Sequence, residues 1–245
     1  MKKLIKKSLN RIGYDLVRVP LPGSHGRELM NTLRRHRINC VLDVGARHGE
    51  FAGELRALGF DGHIFSFEPV KENFEALSRR MQGDPRWKGF NVALGSEAAE
   101  LELNVTSGSA MSSFLEPNDY AKAQFVEDSR IARKETVEVR PLGTLLPKIT
   151  AVQPDPRCYL KLDTQGWDLQ VFRGLGPARG LISALQSEVS VKPIYESMPT
   201  YTEAVAEYQT GGFELVGLYP VHHDSRGAVI EFDCLMQKGP DALAA

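Results

Sequence analysis

Apolar runs and amphipathic segments alternate along most of the chain, and each kind of segment predicts a different element. The run INCVLDVG, which contains Val41, is nearly continuous, as expected of a strand buried on both faces. The next segment places Phe51, Leu55 and Leu58 on one side, at the spacing of a helix that Gly59 would end. The same succession returns in HIFSFEP with VKENFEALSRRM, in CYLKLDTQG with WDLQVFRGL, and in ISALQSEVSV with YTEAVAEYQTGG, while FNVALG predicts one more strand.

Strands of a second kind show alternating hydrophobicity. AELELNVT and ETVEVRPLGTLL predict strands with one exposed face, the second followed by a turn, and FELVGLYPV with AVIEFDCLMQ predicts a closing hairpin. Because strands alternate with helices, we predict an α/β fold whose doubly wound, mostly parallel sheet gains an antiparallel strand from the hairpin. This domain would span residues 38–240, after an N-terminal helical extension over residues 1–37.

Composition and charge narrow the function classes. The 245 residues are 42% hydrophobic and 25% charged, which is ordinary for a globular domain, and the net charge of −1 gives no electrostatic reason to bind nucleic acid. Cys40, Cys158 and Cys234 are an odd, unpatterned set, which argues against a disulfide framework, and their spacing fits no zinc site, so we expect buried free thiols. No apolar run approaches the ~20 residues that span a bilayer, and no signal peptide is evident. We therefore expect a cytoplasmic protein.

Two features bear on partners. Residues 1–19 carry apolar residues at helical spacing with lysines between them, which predicts either peripheral contact with an anionic membrane or a helix packed on its own domain. The alternating strands at 101–105 and 136–140 would permit a homodimer, unless they are covered within the chain.

The candidate chemistry lies just after the predicted strands, where ligands bind in open α/β sheets. Asp43, Gly45 and Gly49 follow the first strand, and glycines there allow close approach of a ligand to the backbone, or simply a tight turn into the helix. Glu68 follows the second strand about twenty residues later, where a carboxylate can accept hydrogen bonds from both ribose hydroxyls. The G-x-G-x-x-G turn for a pyrophosphate is absent, because Arg47 stands at its second glycine. A ribose without a pyrophosphate fits S-adenosylmethionine.

The motifs LDVGARHGEF, FSFEPVKENFEAL, FNVALGS, SAMSSFLE and YLKLDTQGWDLQVFRGL, in this order, resemble the FkbM-type family of S-adenosylmethionine-dependent methyltransferases. The resemblance runs from about Val41 to Cys234 and implies a Rossmann-like, class I methyltransferase fold with a seven-stranded sheet and one antiparallel strand. Many family members have glutamate where this chain has Gln165. The resemblance further implies that Asp43, Gly45, Ala46 and Gly49 line the methionine and ribose part, Glu68 binds the ribose, Ala93 and Leu94 border the adenine, and Asp163 lies near the methyl donor.

A sugar hydroxyl needs a general base or a metal ion to become a nucleophile at neutral pH. Asp163 and Glu188 are the catalytic candidates, and together they would form an oxygen-rich site for Mg²⁺. Alternatively, Asp163 caps the helix that begins near Gly166 and Glu188 pairs with Lys161 or Lys192. The histidines at 222 and 223, in the hairpin loop, are further catalytic candidates or solvated loop residues.

The sequence thus favours an O-methyltransferase that acts on a hydroxyl of a sugar, a glycan or a secondary metabolite. A non-catalytic module that keeps the nucleoside pocket is an alternative, since Gln165 replaces a family carboxylate. A nicotinamide-dependent oxidoreductase is a third, disfavoured by the missing pyrophosphate turn.

Overall fold

The computed structural model describes residues 24–239. The predicted basic helix over residues 1–19 lies outside this range, so its contact with a membrane stays a prediction. Within the described range no helix is long and apolar enough to cross a membrane.

The chain alternates strands with helices as the pattern predicts. The helices are α1 (His25–Arg35), α2 (Glu50–Ala57), α3 (Lys71–Arg80), α4 (Asp119–Gln124), α5 (Leu142–Thr150), α6 (Asp168–Arg173) and α7 (Tyr201–Thr210), with a 3₁₀ helix over Gly176–Leu181. The strands are β1 (Cys40–Val44), β2 (His63–Phe67), β3 (Trp87–Phe90), β4 (Ala93–Leu94), β5 (Ala99–Thr106), β6 (Ile131–Arg140), β7 (Cys158–Leu162), β8 (Ile182–Ser190), β9 (Phe213–His223) and β10 (Val229–Lys238).

Seven strands form the main sheet in the order β3-β2-β1-β7-β8-β10-β9. Strands β1, β2, β3, β7 and β8 pair in parallel, and β10 runs antiparallel to both β8 and β9. The predicted doubly wound sheet with an antiparallel strand in the closing hairpin is confirmed. The order reverses between β1 and β7, so the crevice for a ligand lies where these two strands end.

The central strands are buried on both faces, as their continuous hydrophobicity predicts. On one face Leu42 and Leu160 belong to the apolar cluster of α5, α6 and α7. On the other face Val41 and Tyr159 belong to the cluster that contains residues of α1, α2 and α3. The three cysteines are buried and free, which confirms their prediction.

The segments between β3 and β7 correct two predictions. FNVALG is not one strand, because β3 ends at Phe90 and residues 93–94 join a second sheet of order β4-β6-β5. The side-chain amide of Asn91 donates to the carbonyl oxygens of Glu68 and Pro69, both at 2.9 Å, and so holds the chain away from the main sheet. LGTLL is not a turn but the start of α5, which buries apolar residues against the main sheet.

The two strands with alternating hydrophobicity pair with each other. Leu101 on β5 stands opposite Val137 on β6 in an antiparallel register, and their apolar faces share a cluster with Val70. The strands are therefore covered at least partly within the chain, and the homodimer stays a prediction.

Candidate active site

The glycine turn after β1 packs directly on the end of β7. Gly45 has φ +77°, and a Cβ atom there would lie 1.9 Å from the carbonyl oxygen of Asp163. Its amide and that of Ala46 donate to the carbonyl oxygen of Phe67 at the end of β2. Only glycine lets the three strand ends meet this closely. Gly49 (φ +82°) serves helix packing instead, since a Cβ there would lie 2.7 Å from the Leu77 side chain.

Asp43 lies beneath the turn and is fully buried. The Ser66 hydroxyl donates to it at 3.2 Å, and the Lys161 ammonium lies 3.6 Å from its other oxygen. The same ammonium donates to the carbonyl oxygen of Gly45 at 3.2 Å and to Asp163 at 3.1 Å. Burial raises the pKa of Asp43, although Lys161 opposes this shift. Asp43 thus stabilises the glycine turn indirectly, because it pairs with the Lys161 ammonium that donates to Gly45.

Glu68 stands at the end of β2, on the rim of a cleft, and is 4% exposed. Its carboxylate accepts hydrogen bonds from the backbone amides of Arg47 (2.8 Å) and Val70 (2.9 Å) and from the Asn73 side chain (3.3 Å). Burial raises the pKa of Glu68 to about 7, in spite of these donors.

The cleft beside Glu68, here called the cofactor cleft for the role that the sequence predicts, has about 640 Å³ of space, part of it open to solvent. Gly45 and Asp163 line the end near the glycine turn, and Ala93 with Leu94 line the apolar end. The structure thus brings these predicted residues together with Glu68. Ala46 lies on the other side of the turn, in a neighbouring cleft, and Asp43 and Gly49 lie outside the lining of the cofactor cleft.

Gln165 joins the two catalytic candidates. Its amide nitrogen donates to Asp163 at 3.0 Å and to Glu188 at 2.8 Å. The hydroxyl of the buried Tyr195 lies 2.9 Å from its amide oxygen. An ionised carboxylate can only accept, so the amide nitrogen must be the end that faces Asp163. The sequence identified both acids as candidates but did not predict that Gln165 bonds to both.

The two carboxylates differ in their affinity for a proton. Burial would raise the pKa of Asp163, but the Lys161 ammonium and the Gln165 amide hold it below its usual value. Burial raises the pKa of Glu188 well above its usual value, and the charges of Asp163 and Glu231 add to the effect. Asp163 is therefore ionised at neutral pH and a poor base, whereas Glu188 binds a proton more readily.

The structural alternatives for these two acids are wrong. The carboxylate that accepts from the turn before α6 belongs to Asp168, which bonds the Thr164 amide at 2.8 Å. Lys192 pairs with Asp224 at 2.6 Å, not with Glu188. Asp163 and Glu188 therefore face the site instead of capping a helix or pairing with the expected lysines.

A second cleft, here called the acceptor cleft for the role proposed below, opens on the other side of the turn. Five residues line both clefts: Gly45, Arg47, Ala110, Asp163 and Gln165. The acceptor cleft continues past Phe51 to Glu188, His222 and Asp233. His223, the neighbouring histidine candidate, is exposed and lies outside the lining of this cleft.

The predicted Mg²⁺ site is not supported, because an ion bridging Asp163 and Glu188 would have to take the place of the Gln165 amide, which donates to both acids. Ligand atoms of Glu188, His222 and Glu231 lie within 4.8 Å of one another. Nδ1 of His222 is hydrogen-bonded to Glu231, so a cation held by this nitrogen and by Glu231 would have to replace that hydrogen bond.

Lys161 is the residue of the site to which the sequence assigned the wrong partner. It was expected as a possible partner of Glu188, and it pairs with Asp43 and Asp163. A charged residue inside the apolar strand CYLKL signals that such a pairing exists, since the residue is costly unless it is paired, but it does not identify the partner.

The Methyltransferase FkbM domain matches residues 43–215, more than half of the chain. The chain belongs to the FkbM methyltransferase family. It is an S-adenosylmethionine-dependent methyltransferase, and the matched range contains the glycine turn, Glu68 and the Asp163–Gln165–Glu188 group. A comparison with curated proteins gave no match.

Several solved structures similar to this FkbM chain are methyltransferases, at low identity. A putative S-adenosylmethionine-dependent methyltransferase from Listeria monocytogenes is 9% identical, with a TM-score of 0.48, and the match covers 87% of this chain and 97% of that one. An rRNA methylase from Streptococcus thermophilus is 11% identical, with a TM-score of 0.44 and coverage of 91% and 98%. A putative tRNA methyltransferase from Streptococcus pneumoniae, in complex with S-adenosyl-L-methionine, is 13% identical, with a TM-score of 0.45 and coverage of 87% and 72%.

Proposed function

We propose that this methyltransferase transfers a methyl group to a hydroxyl oxygen of a sugar, a glycan or a secondary metabolite. The observation that carries the proposal is the polar acceptor cleft, which meets the cofactor cleft at Asp163 and Gln165. Its wall offers the carboxylates of Glu188 and Asp233, the imidazole of His222 and the ring of Phe51. Hydrogen-bond acceptors beside one aromatic face suit a polyhydroxylated ligand.

The residues of the cofactor cleft fit the donor. The carboxylate of Glu68 has about four acceptor positions, and the protein fills three of them. The 3.3 Å bond from Asn73 is the longest and would exchange most easily for a ribose hydroxyl. Ala93 and Leu94 would then border the adenine. S-adenosylmethionine supplies a methyl group that is already activated, so the protein contributes mainly by positioning the acceptor.

Asp163 and Glu188 would act where the two clefts meet. The ionised Asp163 would place negative charge near the donor's sulfonium, and Glu188 would accept a hydrogen bond from the acceptor hydroxyl. The neutral Gln165 amide bonds to both acids, so it holds them close together without adding a charge. The glutamate common in the family at this position would add a third negative charge here.

The first test is calorimetric titration with S-adenosylhomocysteine and with NAD⁺, using Glu68→Ala as the matched variant. We expect S-adenosylhomocysteine to bind, Glu68→Ala to weaken it, and NAD⁺ to give no heat. Labelled S-adenosylmethionine is then incubated with a panel of methyl glycosides and phenolic metabolites, with Mg²⁺ and with EDTA. We expect label on a hydroxyl oxygen and equal rates in both conditions. Label on nitrogen or carbon only would refute the proposal, and bulk tRNA serves as a control acceptor.

A non-catalytic nucleoside-binding module is the second candidate, favoured by one observation. Gln165 stands where many family members have a carboxylate, so a charge at the site is missing. This candidate predicts that S-adenosylhomocysteine binds while no acceptor is methylated. An oxidoreductase instead predicts tight NAD⁺ binding, and the absence of a pyrophosphate turn argues against it.

A further inference from the structure

A row of polar side chains crosses three neighbouring strands beside the acceptor cleft. In the strand register Ser190 on β8 stands opposite Glu231 on β10, which stands opposite His222 on β9. The Ser190 hydroxyl donates to Glu231 at 2.9 Å, and Nδ1 of His222 lies 3.2 Å from the other carboxylate oxygen. The β9–β10 register shifts on both sides of Glu231, and such irregularities commonly re-aim side chains near active sites.

Glu231 fixes the orientation of the imidazole. Because its carboxylate is 2% exposed and accepts at Nδ1, the neutral ring carries its proton on Nδ1 and leaves a lone pair on Nε2. The ring of Phe125 packs edge-on against the imidazole, with centroids 5.9 Å apart. Within residues 24–239, Nε2 has no hydrogen-bond partner, and the His222 side chain is half exposed in the acceptor cleft. A buried carboxylate that orients an accessible imidazole is a typical general-base arrangement.

The imidazole also lies close to Glu188, the acid that would bind the acceptor hydroxyl. A nitrogen of His222 and a carboxylate oxygen of Glu188 are within 4.8 Å of each other. Glu188 in turn accepts from Gln165, which lines both clefts. A hydroxyl bound by Glu188 would thus have His222 as a neighbour.

On the basis of the proposed O-methylation, we propose that His222 is the catalytic general base and Glu231 its positioning residue. The acceptor O–H proton moves to Nε2 of His222 while an oxygen lone pair forms the new O–CH₃ bond. The S–CH₃ bond breaks, and its electron pair stays on sulfur as a thioether. One positive charge is lost from the sulfonium and one is gained by the imidazolium, which then releases its proton to solvent.

The charges that face His222 set its pH dependence. These charges belong to Glu231 and Asp233 on β10, to Glu188 on β8 and to Asp163 after β7. The side chain that packs on the imidazole from the end of α4 is Phe125, which is uncharged. The hydrogen bond to Glu231 raises the pKa of His222 above its usual value, and the charges of Asp163 and Asp233 act in the same direction. Because only the neutral imidazole accepts a proton, the rate must rise with pH as His222 deprotonates.

The first experiment needs no acceptor. Imidazole nitrogen NMR on ¹⁵N-histidine-labelled protein, with S-adenosylhomocysteine bound, reports the tautomer and the pKa of each histidine. We expect neutral His222 to carry its proton on Nδ1, and Glu231→Gln to lower its pKa. A neutral His222 protonated on Nε2, or a His222 pKa that Glu231→Gln leaves unchanged, would overturn the proposal.

The second experiment is the pH profile of kcat/KM with the hydroxyl acceptor that the wild type methylates best. We expect His222→Gln to lower kcat/KM by roughly 100- to 10,000-fold and to remove the acidic limb, with the affinity for S-adenosylhomocysteine retained. The matched variant His223→Gln keeps the wild-type profile, and Glu188→Gln keeps the acidic limb. An acidic limb that survives in His222→Gln, or that disappears in Glu188→Gln alone, would assign the base elsewhere.

Failure of the proposed function would look different. A wild type that binds S-adenosylhomocysteine but methylates no hydroxyl contradicts O-methylation, and with it the role of His222 as a base. The NMR result separates the two cases, since a wrong tautomer overturns the role of His222 even in an enzyme that methylates hydroxyls. If Glu231→Gln does not fold, two measurements still test the proposal. They are the tautomer of His222 in the wild type and the pH profile of His222→Gln, a substitution at a half-exposed side chain.

Discussion

Gly45 and Asp163 lie so close that no side chain fits between them. A Cβ atom on Gly45 would be 1.9 Å from the carbonyl oxygen of Asp163, and the φ of +77° already disfavours other residues. This contact joins the ends of β1 and β7 at the point where the strand order reverses, and it sets the position of both clefts.

Gly45→Ala should therefore push the ends of β1 and β7 apart as well as strain the turn. We expect its free energy of unfolding to fall by more than the about 1–2 kcal/mol that a left-handed alanine costs, with loss of S-adenosylhomocysteine binding. Gly59→Ala is the matched control, because Gly59 has φ +89° with no atom within 4 Å of the added Cβ. Urea unfolding and calorimetry check both variants, and equal losses in the two would contradict the role of the contact.

The affinity for S-adenosylhomocysteine should depend on the charge of Glu68. Burial raises the pKa of Glu68 to about 7, and ribose hydroxyls bind the ionised carboxylate better. Affinity should rise from about pH 6 to about pH 8, with a proton released on binding at the lower pH. Calorimetry in buffers of different ionisation enthalpy measures this proton, and Glu68→Gln should abolish its release. An unchanged release in that variant would assign the proton to another group.

Gln165→Glu should make stability depend on pH. The new carboxylate loses the donor bonds to Asp163 and Glu188 and adds a like charge beside them, so its pKa in the folded state is raised. A raised acid pKa means that stability relative to the wild type is present at low pH and is lost as the pH rises through the folded pKa. Thermal unfolding between about pH 5 and about pH 8 measures this loss. Gln165→Met, which loses the same bonds without the charge, should be destabilised equally across this range.

Lys161→Met should leave the fully buried Asp43 and the partly exposed Asp163 without their cation. Removing one member of a buried ion pair costs about 3–5 kcal/mol. Lys161 lies 3.6 Å from Asp43 and 3.1 Å from Asp163, whose side chain is 39% exposed, so solvent screens the second pair and the loss comes mainly from the first. Lys161 helps hold the pKa of Asp163 below its usual value, and that contribution is present above the unfolded pKa and lost as the pH falls through the folded pKa. The variant's deficit should thus be largest at neutral pH and shrink below about pH 4. Urea unfolding at about pH 7 and about pH 3 tests this, and a deficit that grows in acid would contradict it.

The strand and helix order followed from hydrophobic pattern because the central strands are buried on both faces, which leaves a continuous apolar run that solvent-exposed elements lack. The pattern failed at FNVALG and LGTLL for one physical reason. A short apolar run is compatible with a strand of either sheet or with a helix, and the choice depends on contacts such as those of Asn91 with the chain before α3.

The residues at the ends of the strands could be named in advance, because parallel strands bring their carboxyl ends to one edge and glycine, aspartate and glutamate are conspicuous there. Their partners could not be named. Gln165 links Asp163 to Glu188 on β8 and to Tyr195 in the loop after β8, Lys161 links Asp163 to Asp43 on β1, and the pairing of His222 with Glu231 depends on two register shifts in a hairpin. Local sequence specifies which groups carry charge, whereas long-range packing decides which groups neutralise, orient or crowd one another, and these contacts set the protonation states at the site.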